Sequence, residues 1–425
     1  MNIYPESAPG KGSLRCIAAL LLLLLAVSIA EGAGEARTLT LEECIRLAEE
    51  HHPSLEEARA SLNAQKARLD AVKAGNALTG SLSASTGRQT GSDQSYSTSF
   101  TVTKLLSDSG KNALERRSQG LAIDTASESQ REAVLTVRKG VKDAYYTLLL
   151  NGLKREQAES AVRTYEKHLE KAKGFYEAGI KARFDVTKAE VDLSNARITL
   201  VSAEASLATA RAALSNAVGI QLGDVEAVSG FLAPRSLPDE PFAVEQAMAN
   251  RPDIRSALLK SESGKLSVAI AAKGNAATVS LSGSANLSGS EWPLNDTFRA
   301  TVTLSVPVFD GGLTDARIAE ARYGAQGADA ALRRVEQTVL YDVRSTLLSV
   351  KEAEARIPVA ELLVRQAEEN LTLAEGRYEM GVGNVLEVAD AVLAFTSAKV
   401  SLYQAQHDYS ASLAALEKTL GGEFE

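Results

Sequence analysis

Of 425 residues only two are cysteines, Cys16 and Cys44. Cys16 opens an apolar run to Ala30, with Lys11 and Arg15 before it and the small residues Ser28, Ala30 and Ala33 at its end. That is the build of a secretory signal peptide, expected over residues 1–30 with cleavage at up to 36. Cys44 then stands alone in the exported chain, which excludes an intramolecular disulfide. No later run approaches the roughly 20 apolar residues of a membrane-spanning helix. A basic excess is missing too: 46 Lys and Arg against 54 Asp and Glu leave −8, which excludes a nucleic-acid partner. Histidine is scarce, and the adjacent His51 and His52 would point about 100° apart on a helix, so no metal site is expected. Gly311-Gly312 lacks the Lys and Ser/Thr of a phosphate loop, and no nucleophile stands with a partner His. Neither a cofactor nor a catalytic residue is expected, and the chain reads as a non-enzyme. Aromatics make up only 5% beside 24% charged residues and abundant Ala, the profile of long helices.

What is present is a duplication. Leu169, Ala172, Gly174, Tyr176, Glu177 and Gly179 return 202 positions later as Leu371, Ala374, Gly376, Tyr378, Glu379 and Gly381. Gly75-Asn76-Ala77 returns at a second offset, 199, as Gly274-Asn275-Ala276. One structural unit is written twice. The expected organisation is a first repeat at 31–219, a linker at 220–243, a second repeat at 244–421 and a tail at 422–425.

Within each repeat the apolar positions step by three and four: Val134, Val137, Val141, Ala144 and Leu148 in the first, Val339, Val343, Thr346, Val350 and Ala353 in the second. A period near 3.5 holds one seam against a neighbouring helix. From about Asn112 to Ala178 this predicts roughly 65 helical residues, about 100 Å at 1.5 Å per residue. The chain then turns at Gly179, or at Gly381 with Gly383, and a second helix returns along Ala189, Leu193, Ala196 and Leu200, or Ala391, Phe395, Ala398 and Leu402. Long helical hairpins are expected at 112–218 and 313–420. Pro358 falls inside the second, where a bend is expected.

Between the helices the period becomes 2. Phe298, Ala300, Val302 and Leu304 alternate with Arg299, Thr301, Thr303 and Ser305, and Phe100 and Val102 alternate with Thr101 and Thr103. Strand pairs are expected at 76–106 and 276–308, each strand about as long as a transmembrane β-strand. Phe100, Val102, Leu281, Val302 and Leu304 form the face expected to meet lipid. Four strands cannot close a barrel, and in lipid every edge must be paired, so several chains are expected to share one.

The run Ser305-Val306-Pro307-Val308-Phe309-Asp310-Gly311-Gly312, a long helix, and then Arg377-Tyr378-Glu379-Met380-Gly381-Val382-Gly383-Asn384 resemble the second repeat of TolC-type outer-membrane efflux proteins. Leu39-Thr40-Leu41-Glu42-Glu43 leading to His52-Pro53 looks like that family's first periplasmic helix. The resemblance spans Leu39 to Gly421. It implies an α-dominated fold with transmembrane β: duplicated helical hairpins forming an α-barrel tunnel through the periplasm, and a homotrimer whose four strands per chain make a 12-stranded barrel in outer-membrane lipid. It implies a passive exit duct of a tripartite efflux or type I secretion system, with a periplasmic adaptor and an inner-membrane pump of RND or ABC type as partners. A rival outside that class is an exported helical rod or trimeric adhesin, against which the hairpin returns count.

The resemblance also assigns residues. Carboxylates after the second turn ring the family's periplasmic entrance and fall here on Glu387 and Asp390, spaced i, i+3. In the family's closed entrance a Tyr and a basic residue of the second turn bond to an Asp near the first. Tyr378 and Asp185 match, but Gly383 stands at the basic position, which leaves Arg183 as a candidate substitute. Gly179, Gly381 and Gly383 mark the hairpin tips where an adaptor is expected to dock.

Overall fold

The computed structural model describes residues 37–423 except 89, 91–93 and 229. The expected signal peptide lies outside the described residues. In chain order the elements are β1 (Arg37–Leu39), α1 (Leu41–His51), α2 (Pro53–Ala74), β2 (Thr79–Gly87), β3 (Ser95–Ser107), α3 (Lys111–Glu177), α4 (Arg183–Val218), β4 (Val225–Ala227), α5 (Glu240–Asn250), α6 (Pro252–Ala271), β5 (Thr278–Gly289), β6 (Asn295–Ser305), α7 (Leu313–Glu379) and α8 (Val385–Leu420). The duplication is carried through to the residue: α3 and α7 each hold 67 residues, and α4 and α8 each hold 36.

Local chemistry starts these helices. Thr40 and Glu43 form a reciprocal cap at α1, Glu43 N donating to Thr40 Oγ1 at 3.3 Å and Thr40 N to Glu43 Oε2 at 2.9 Å. His52 caps α2 by accepting from Ser54 N at 3.1 Å. Asp108 and Asp310 do the same for the two long helices: each accepts from an amide two residues on (Gly110, Gly312) and another four on (Asn112, Thr314). Pro358 sits within α7 without ending it.

Within its own repeat, the first half of each long helix packs with the short helix that precedes the strands, α2 or α6, and the second half with the returning helix, α4 or α8; α3 also packs against α6 and α8 of the second repeat. The buried seams are apolar. Val137, Val141, Tyr145 and Leu148 meet Leu207, Leu214 and Val218 in one repeat; Val339, Val343, Leu347 and Val350 meet Tyr409, Leu413, Leu416 and Leu420 in the other. At about 25 cal/mol per Å² of apolar surface, this burial dominates the energetics of each hairpin. The stretch expected as a plain linker contains β4, which pairs in parallel with β1, and the start of α5. Among the described residues no helix is long and apolar enough to cross a membrane.

The four longer strands form one antiparallel sheet in the order β2-β3-β5-β6, which leaves one edge of β2 and one of β6 unpaired. Its register gathers like with like. Leu82, Phe100, Ala285 and Phe298 make one row across the sheet, followed by Gly80, Val102, Gly283 and Ala300. The opposite face carries rows such as Thr79, Thr103, Ser282, Thr301 and Ser81, Thr101, Ser284, Arg299. Phe100, Val102, Leu281, Val302 and Leu304 thus share one face. Lys104 lies on that face too, near the helical end of the sheet, where its Nζ reaches the carbonyl of Asn76 at 2.7 Å.

Candidate functional site at the hairpin tips

Both tips close by the same device. After α3, Gly179 N donates to Tyr176 O at 3.0 Å and Ile180 N to Phe175 O at 2.9 Å; after α7, Gly381 N donates to Tyr378 O at 3.0 Å and Val382 N to Arg377 O at 3.1 Å. Gly179 and Gly381 hold the left-handed φ values of 70° and 78° that such turns require. A third bond closes each turn, Lys181 N to Phe175 O at 3.3 Å in the first and Gly383 N to Arg377 O at 2.8 Å in the second, and the shorter one brings Gly383 onto the backbone it has just left. A Cβ at 383 would lie 2.7 Å from Tyr378 N and 2.9 Å from the Arg377 carbonyl carbon, so no side chain fits there.

The cation absent from 383 is supplied from the other repeat. Lys181 is the residue 202 positions earlier, and its Nζ donates to the Gly383 carbonyl at 2.9 Å while lying 5.7 Å from the centre of the Tyr378 ring. Lys181 therefore ties the first turn to the second. Arg183, the substitute considered from the sequence, is exposed and makes no hydrogen bond or ion pair among the described residues. The duplication held the signal for Lys181, because aligning the two turns sets it opposite Gly383.

Tyr378 is 2% exposed and packs edge-on against Phe175 of α3, ring centres 5.5 Å apart. Its hydroxyl has no hydrogen-bond partner among the described residues. Burial, and then the charge of half-buried Asp185, push its pKa up. Asp185 is thus close enough to be felt but does not accept the phenolic proton. Two further links cross between α3 and α7: Lys171 pairs with Glu379, and His168 Nε2 lies 3.3 Å from Glu375 Oε1.

Glu387 and Asp390, the two carboxylates expected at an entrance, are exposed and splay apart. Glu387 turns to Arg377 of α7, 3.3 Å away. Asp390 has no ion pair among the described residues and lines a groove of about 530 Å³ over α3, together with Lys188 and Asp192 of α4. Burial first, then Asp192 and Asp390, push the Tyr165 phenol on that groove to about 12. The tips themselves are apolar: Ile180, Phe184, Met380 and Val382 are each more than half exposed.

The sequence matches the model of the family described as outer membrane efflux protein over residues 44–220 and 243–422. It is 25% identical over 330 residues to outer membrane protein TolC of Vibrio cholerae, spanning 72% of this chain and 74% of that protein. Outer membrane protein OprJ of Pseudomonas aeruginosa is 26% identical over 221 residues, 49% of this chain and 46% of that one. The fold superposes on the outer membrane protein VceC of Vibrio cholerae with a TM-score of 0.78 at 22% identity, covering 91% of this chain and 97% of that chain. On the Campylobacter jejuni CmeC outer membrane channel the TM-score is 0.81 at 17% identity, covering 91% and 86%.

Proposed function

The chain belongs to the outer membrane efflux protein family, and from that premise we propose that it is the passive exit duct of a tripartite efflux or type I secretion system. It acts in the outer membrane. Three copies close a 12-stranded barrel there, and their hairpins form a tunnel into the periplasm. The observation that carries this reading is the sheet: four strands, both outer edges unpaired, and one exposed apolar face, standing on two helices of 67 residues. In hydrocarbon an open edge costs several kcal/mol per unsatisfied group, and closure with further copies removes it. Phe100, Val102, Leu281, Val302 and Leu304 meet lipid, and the hydroxyl face lines water.

The tips perform two tasks in this reading. Glu387 and Asp390 of three chains put six carboxylates at the entrance and favour cations there. Around them the turns at Gly179, Gly381 and Gly383, with exposed Ile180, Phe184, Met380 and Val382, offer an apolar surface to a periplasmic adaptor, which links the duct to an inner-membrane pump of RND or ABC type. Lys181, on the Gly383 carbonyl and the Tyr378 ring, holds the entrance closed at rest, with Asp185 beside them.

The test is extraction and conductance. The mature chain should leave the outer-membrane fraction only with detergent, as a trimer, and should conduct ions in planar bilayers. A detergent-free soluble monomer would overturn the duct and favour an exported rod.

A further inference from the structure

The two hairpins of one chain are joined differently from the helices within each hairpin. Between α3 and α8 the boundary carries polar links, Thr147 Oγ1 meeting His407 Nε2 at 3.3 Å, Lys154 Nζ donating to Gln404 at 3.2 Å and Tyr165 OH donating to Ala389 O at 3.5 Å, while at the tip Tyr165 and Phe175 pack against an apolar cluster that includes Tyr378, Val385 and Val388. Two of the chain's four histidines, His168 and His407, lie on this boundary. His168 is the anomalous one. It is 7% exposed, about nine residues above the end of α3, and neither ring nitrogen has a hydrogen-bond partner among the described residues. The nearest acceptor, Glu375 Oε1 of α7, is 3.3 Å away but out of line for a hydrogen bond. The imidazole lines a cavity of about 10 Å³ together with Tyr165, Asp192 and Tyr378.

We propose that His168 is a proton-operated wedge: mild acidification of the periplasm parts the tip of the first hairpin from the tip of the second. The groups that face it are Glu375 and Glu379 from α7, Lys171 from α3 and Asp192 from α4, while α8 contributes only Val385, Val388 and Ala389. Burial is the largest influence and Lys171 acts with it; together they outweigh the pull of Glu375 and Glu379 and hold the imidazole below its usual 6.5. A base whose pKa is depressed in the packed state favours that state fully above its free value. The advantage is lost as pH falls below 6.5, because the proton binds the hydrated imidazole of the parted tips more tightly than the buried one. The buried Tyr378 hydroxyl, without a hydrogen-bond partner among the described residues, gains hydration on parting and lowers the resistance to it. The functional meaning, a duct that opens more readily in acid, rests on the duct reading; the wedge itself does not.

Hydroxyl-radical footprinting of the detergent-solubilised full chain at pH 7.5 and 5.5 tests it. Oxidation of Tyr378 and Phe175 reads exposure of the boundary, with the fully buried Tyr145 and Tyr409 as references within the same molecule. One unit below 6.5 the parted state gains up to about tenfold, so Tyr378 should oxidise up to about tenfold faster than at pH 7.5. His168→Gln, similar in size and without a titration, should abolish the change. His168→Leu serves if the glutamine variant does not fold, with the same flat profile expected. An unchanged wild-type footprint, or a pH response that survives in either variant, overturns the wedge. Bilayer recordings of the same preparations separate the two readings: a pH-dependent footprint without conductance at either pH refutes the duct and keeps the wedge.

Discussion

Removing the Lys181 ammonium should unlatch the tips. In Lys181→Gln the Gly383 carbonyl loses a charge-assisted hydrogen bond of 2.9 Å, and the Tyr378 ring loses a cation 5.7 Å from its centre. Hydrogen bonds to charged groups are worth about 1.5–3 kcal/mol, and the low end applies because Lys181 is only partly buried. The ring contact adds about 0.5–1 kcal/mol. A loss of about 2 kcal/mol per chain raises the unlatched population about thirtyfold, since each 1.4 kcal/mol is tenfold. Two assays read this at neutral pH: oxidation of Tyr378 by hydroxyl radicals and conductance of the reconstituted channel, both of which should rise. Lys181→Arg should stay near wild type. The decisive variant is the swap Lys181→Gly with Gly383→Lys, which restores the cation to the second turn. It should remain unlatched, because a Cβ at 383 meets the backbone of Arg377 and Tyr378. A swap that closes the channel again, or a glutamine variant indistinguishable from wild type, would refute the reasoning.

Asp390→Ala should reduce cation selectivity more than Glu387→Ala, because Arg377 at 3.3 Å already offsets Glu387 whereas Asp390 has no ion pair among the described residues; equal reversal-potential shifts would contradict this. Single cysteines in a Cys44→Ala background should react with aqueous thiol reagents at Thr101, Thr301 and Ser282 and resist at Phe100, Val302 and Leu281, and uniform labelling along a strand would sink the facing. Gly421→Ala should lower Tm, because φ is 85° and the new Cβ would lie 2.8 Å from the Asn250 carbonyl carbon; left-handed strain and overpacking together cost about 2 kcal/mol or more, and an unchanged Tm would show that the contact relaxes.

The elements of this protein were legible in its sequence because each is governed by a local period. A step of three and four over some 65 residues has one regular solution, a long helix with a single seam, and α3 and α7 run within a residue or two of the limits it sets. Alternation of Phe, Val and Leu with Thr and Ser likewise decides which residues share a strand face before any pairing is known, and the family resemblance carried by the two turns agrees with the matched family. The pairing of β1 with β4 was not legible, since three-residue strands are too short to show a period and are held by partners nearly 190 residues apart.

At the tips the balance reverses. Sequence supplied the turn glycines, Tyr378, Asp185 and the carboxylates as residue types at family positions, and the offset of 202 contained Lys181 as well. Only tertiary structure decided how they are used. The approach of Gly383 to the Arg377–Tyr378 backbone forbids a side chain there, and the distance between the turns lets Lys181 rather than Arg183 reach across. The same packing directs Glu387 to Arg377 and Asp390 to the α3 groove, although a spacing of three places both on one side of α8. It also buries His168 without a hydrogen-bond partner among the described residues. Periodicity is a property of neighbours along the chain and is written in it; clashes, ion pairs and desolvation are properties of neighbours in space, and exist only once the two hairpins lie side by side.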